Sequence, residues 1–159
     1  MLYIWENQFL KIKMENNNEI TLNQNNNTEL DVEKIFKYWI EMSDNDFATM
    51  LDMFNIKRYN WALFIGHLVV EKLIKAVYVK TNQKHPPFLH DLLKLINRCN
   101  IQVTTEQMDI FDTITTFNIN ARYDDYKLAF YNKCTLEYTT TWIKNIKEIR
   151  QWIIDTQLK

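Results

Sequence analysis

Three groups of side chains in this 159-residue chain have the types and spacing to do chemistry. Arg122 lies in the stretch FNINARYDDYK, residues 117–127, beside Tyr123, Asp124, Asp125 and Tyr126. A guanidinium grips a phosphate with two parallel hydrogen bonds, and a neighbouring tyrosine can stack on a base. The opposite reading is equally open: Arg122 pairs with a carboxylate, Glu71 or Asp91, and fastens its segment to the protein, while the adjacent acids repel phosphate. The second group is Glu71 and Lys75, four residues apart in the order that stabilises a helix, with His67 one turn earlier on the same face. It reads either as a helix-supporting ion pair beside a hydrogen-bonded histidine, or as a polar cluster at a groove or subunit interface. The third is His90, which follows Pro86 and Pro87 and precedes Asp91; it is expected to open a helix as a capping or packing residue.

Other chemistries lack their residues. There is no glycine-rich phosphate loop, no HExxH, and no Ser/His/Asp or Cys/His arrangement with supporting context, so no cofactor is expected. No carboxylate cluster suggests a metal. Cys99 and Cys134 are far apart and form no CxxC pattern, which argues against zinc and against a disulfide framework and makes a reduced, cytoplasmic protein the expectation. Nineteen basic and twenty acidic residues leave a net charge of -1, so bulk charge demands neither nucleic acid nor an anionic membrane, although a local basic face stays possible. No run approaches the eighteen or so apolar residues of a membrane span, and no secretory pattern opens the chain.

The elements that must position these groups are helices. One glycine and two prolines are too few for the turns of a strand-rich fold, and 47% hydrophobic residues supply a core, so an all-α up-and-down bundle of four to five helices is expected. Residues 1–30 stand apart: seven of the twelve residues 16–27 are asparagine, which predicts a flexible leader, and Met14 is an alternative start. Residues 31–159 form the expected bundle domain. Apolar residues spaced by three and four predict a first helix over about 32–54, which the polar SDND at 43–46 could bend, and a second over about 59–81 with a face broad enough for burial on more than one side. Short helices are predicted over 89–97 and 104–117, and a last one over about 135–157. Long helices of roughly 22 residues span about 33 Å and can pack along their lengths. Between the last two helices lies an irregular connection of about seventeen residues, long for a bundle, whose five aromatic residues predict an ordered, exposed loop presenting Arg122.

Three segments in this order, FIGHLVVEKLIKAVYVK (64–80), HPPFLHDLLKL (85–95) and FNINARYDDY (117–126), resemble the HEPN domain family. The family's Glu-Lys-x-x-Lys-Ala pattern is matched by Glu71, Lys72, Lys75 and Ala76. Its His-Asp-Leu is matched by His90, Asp91 and Leu92, and its Ala-Arg-Tyr-Pro-Asp-like turn by Ala121, Arg122, Tyr123 and Asp125. The resemblance implies a helical bundle that forms homodimers and accompanies a nucleotidyltransferase, with a nucleotide or RNA as ligand. Some members are metal-independent ribonucleases, including toxins of toxin-antitoxin pairs, with a catalytic Arg followed four to six residues later by His. Here all three histidines precede Arg122, and Lys127 holds the place of the missing one. The expectation is therefore a binding or accessory protein of bacterial type, using Arg122, Tyr123, Asp125, Tyr126, Glu71 and Lys75. The alternative is an atypical endoribonuclease in which Arg122, His67 and His90 form a composite site across a dimer.

Overall fold

A computed structural model describes residues 31–123, 125 and 128–159; the expected leader, residues 1–30, lies outside the described residues. Among the described residues six α-helices follow one another, α1 Val32–Asn55, α2 Tyr59–Asn82, α3 Leu92–Arg98, α4 Thr105–Asn120, α5 Ala129–Lys133 and α6 Leu136–Ile153, and a wide π turn, Ile154–Leu158, comes last. No strand occurs among the described residues, and the all-α bundle expected from the scarcity of chain-breakers is the architecture found.

The helix α2 is the hub, packed against α1, α3, α4, α5, α6 and the terminal turn. Its apolar residues do not fall on one narrow stripe, and 13 of its 24 residues are buried, which is why a broad apolar face was legible. Gly66 marks its closest approach to two neighbours at once: a Cβ there would lie 2.5 Å from Ile146 Cδ1 of α6 and 3.1 Å from Met50 Sδ of α1. The core around it is filled by Leu63, Leu73 and Ile74 of α2, Leu95 of α3, Phe111 and Phe117 of α4, and Ile153 of α6, all at most 1% exposed. Polar ties supplement the packing of α1 on α2. Ser43 Oγ donates to the Val69 carbonyl at 2.8 Å, and Lys72 pairs with Asp46 at 2.6 Å. The SDND stretch thus turns its serine and an aspartate toward α2, and α1 continues through it without a break.

Two boundaries differ from expectation, each for a local reason. The short third helix starts at Leu92 rather than Leu89, because after the two prolines the Leu89 amide turns back to the Pro87 carbonyl at 2.9 Å and Asp91, a far better cap than histidine, accepts from the Lys94 amide at 3.0 Å. His90 therefore does not open a helix. The fourth helix, closed at its start by a reciprocal Thr104–Gln107 capping box, runs on to Asn120. It takes Phe117 into the core, where its ring meets Phe130 at 5.8 Å and Trp142 edge-on at 5.4 Å. The long irregular connection is accordingly reduced to residues 121–128 followed by the five-residue α5, whose first turn uses Asp125 Oδ1 as acceptor for the Ala129 amide at 3.1 Å. Aromatic residues in this stretch are buried anchors as much as loop surface.

Candidate functional site

Phe64, His67, Glu71 and Lys75 recur at spacings of three and four along α2, forming one row about 16 Å long at 1.5 Å per residue. The row is polar at its centre and nearly enclosed: His67 is fully buried, and the Glu71 and Lys75 side chains are 5% and 7% exposed. Buried charge is tolerable only when paired and hydrogen-bonded. Glu71 meets that condition three times. Lys75 Nζ donates to Oε1 at 2.7 Å, while His67 Nε2 at 2.9 Å and His90 Nδ1 at 3.0 Å both meet Oε2. Since Glu71 accepts, both imidazoles donate through those nitrogens.

Burial alone would raise the Glu71 pKa, but the hydrogen bonds from His67, Lys75 and His90 outweigh it and hold the carboxyl down at about 2. The carboxylate is thus a fixed anion at any physiological pH. Lys75 lies over the Trp39 ring of α1, 5.1 Å from its centroid, a second support for its charge. Among the described residues His67 Nδ1 meets no hydrogen-bond partner, so the ring is held through Nε2 alone. His90 differs from its neighbours: its side chain is 62% exposed, anchored through Nδ1 to a buried carboxylate.

Arg122 comes to the other end of the row. Its Nε donates to the Asn118 carbonyl at 2.7 Å, one turn back in α4, and the guanidinium lies over Phe64 at 5.6 Å and over Tyr123 at 5.3 Å. Arg122 is exposed, and among the described residues no carboxylate pairs with it. Neither tether considered from the sequence is made. Glu71 serves Lys75 and the two histidines, and Asp91 caps α3 and pairs with Lys94, hydrogen bonds that, against the raising effect of its partial burial, hold its carboxyl below the ordinary range. Among the described residues an aromatic floor and a backbone carbonyl, rather than an acid, hold the arginine.

The structure therefore brings His67, Glu71, Lys75 and His90 into one bonded cluster and sets Arg122 with Tyr123, 72% exposed, against Phe64 at the end of the same helix row. Asp125 is engaged in starting α5. Asp124, Tyr126 and Lys127 lie outside the described residues. Sequence reasoning missed Phe64 and Trp39 as the rings under the two cations; Phe64 carried a signal, its place one turn before His67. The contact of His90 with Glu71 carried none, because the path of residues 83–91 is set by packing. Among the described residues no three His, Cys, Asp or Glu are arranged to hold a metal ion.

A family model described as HEPN domain matches residues 36–157, the greater part of the chain. No curated protein and no solved structure matches it.

Proposed function

The chain belongs to the HEPN domain family, and from that premise we propose that it is a binding or accessory protein that takes a phosphate-bearing ligand, a nucleotide or RNA, at Arg122. The observation that carries this reading is the state of the guanidinium. It is exposed, its Nε is committed to Asn118, its face rests on Phe64 and Tyr123, and no described carboxylate neutralises it. A pre-oriented guanidinium loses little freedom on gripping a phosphate, and Tyr123 beside it offers a base a stacking surface. Glu71 and Lys75 belong to the scaffold that keeps the supporting helix face in place. A homodimer, a nucleotidyltransferase partner and a place in the cytoplasm are parts of the same proposal, resting on the family. Among the described residues no helix is long and apolar enough to cross a membrane.

Titration calorimetry of ATP and of a short single-stranded RNA tests this. Arg122→Ala should weaken binding about tenfold to a hundredfold, the worth of a hydrogen-bonded charge contact, without loss of fold. Absence of binding by the wild-type chain would sink the nucleotide reading.

One observation favours the enzyme alternative. His90 is an exposed imidazole oriented by a buried carboxylate, which is how proteins hold a group that accepts and returns a proton. In that reading RNA is cut near a phosphate held by Arg122, and both Arg122→Ala and His90→Ala abolish cleavage on a gel while His67→Asn tests the buried ring. RNA left intact by the wild-type chain would remove this alternative.

A further inference from the structure

The turn between α1 and α2 carries a cavity of about 410 Å³ lined by Met53, Ile56, Arg58, Trp61 and Ile65. Four of those five side chains are apolar or aromatic, yet Ile56 is 62% and Trp61 43% exposed, so the cavity is a groove open along one side. A small-molecule site typically wraps about 70–90% of its ligand. A groove walled on one side suits instead a helical segment that lays down apolar anchors at i and i+3 or i+4.

The groove is stiff. The Arg58 amide closes on the Met53 carbonyl at 2.8 Å and the Lys57 amide on Phe54 at 3.0 Å, a paired closure that fixes the end of α1, and the Trp61 ring is set edge-on to Phe64 at 5.9 Å. Its charge is one-signed where it matters. Lys57 and Arg58 are both exposed at the turn, Arg58 in the groove wall itself, and among the described residues no carboxylate pairs with either. An occupant that buries Ile56 and Trp61 must pass Arg58, which attracts carboxylates and repels lysine or arginine, while Lys57 lines a separate pocket with Tyr59 and Tyr131. The geometry points to a docking site, at the α1–α2 turn, for an acidic amphipathic segment of a partner protein. Its occupant is distinct from the ligand read at Arg122, although Trp61 touches Phe64, the ring beneath that guanidinium.

Selection from a display library of random peptides about 14 residues long, four helical turns, on the full chain tests this without presupposing a sequence. Enriched peptides should carry Asp or Glu beside apolar residues at i and i+3 or i+4. By fluorescence anisotropy their affinity should fall about thirtyfold in Trp61→Ala, as for truncation of an interface aromatic. It should fall about tenfold in Arg58→Glu, where exchanging the peptide's acids for lysine restores it. Both positions face solvent, and thermal melts of the variants establish that they stay folded. No enrichment, enrichment of peptides lacking acids, or equal affinity in Trp61→Ala overturns the proposal. So does sedimentation showing that the wild-type chain self-associates and Ile56→Asp does not, since the groove's occupant is then a second copy.

Discussion

Replacing Glu71 by glutamine tests whether its charge holds the polar row of α2 together. The side chain is 5% exposed and accepts from three donors, so neutralising it strands the Lys75 ammonium, itself 7% exposed, without a counter-ion. Breaking a buried ion pair from one side costs roughly 3–5 kcal/mol. Proton linkage gives a second, independent figure. The carboxyl titrates at about 2 in the folded chain against an ordinary 4.5, which at about 1.4 kcal/mol per pK unit amounts to about 3 kcal/mol. The folded pKa is depressed, so this contribution is fully present above the ordinary value and is lost as pH falls from there through about 2. Glu71→Gln has no such group. Urea denaturation at a series of pH values should place the wild type about 3 kcal/mol ahead at neutral pH, with more than half of that lead gone by about pH 3. A lead below about 1 kcal/mol at neutrality, or one that stays constant with pH, refutes the reasoning. The double variant Glu71→Gln with Lys75→Met should regain much of the loss, because it removes both charges rather than one.

Gly66→Ala should cost about 1 kcal/mol net, since overpacking of roughly 1–3 kcal/mol outweighs a helix-propensity gain of roughly 1 kcal/mol. The clash is chiefly with Ile146 Cδ1, so in an Ile146→Val background, which lacks that atom, the cost should vanish in chemical denaturation. Lys57 holds a left-handed φ of 63° at the end of α1. Lys57→Gly should therefore raise stability by about 1 kcal/mol, and a lower melting temperature would contradict the assignment of strain there.

Legibility in the sequence followed the range of the interactions. The long helices were readable because each carries its own apolar period. The pairing of Glu71 with Lys75 and its alignment with His67 needed only the pitch of one helix. What failed lay beyond local rules. Phe117 looked like the start of a loop, because asparagines follow it, but its ring finds a place between Phe130 and Trp142 and draws α4 on to Asn120. Whether Arg122 faces a phosphate or a carboxylate was left open by its charge and neighbours, and the ring of Phe64 beneath it, a neighbour 58 positions away, had no local signal pointing to it. His90 reached Glu71 likewise, across a stretch whose course no spacing encodes.

The central position of α2 also sets the order in which this molecule comes apart. Its amides are covered on several sides, so they should exchange with solvent only when the whole bundle opens, whereas His90 lies outside any helix and can part from Glu71 in a local opening. The row of Phe64, His67, Glu71 and Lys75 thus belongs to the part of the molecule that opens last, and its buried ion pair should outlive the outer contact that His90 makes with it.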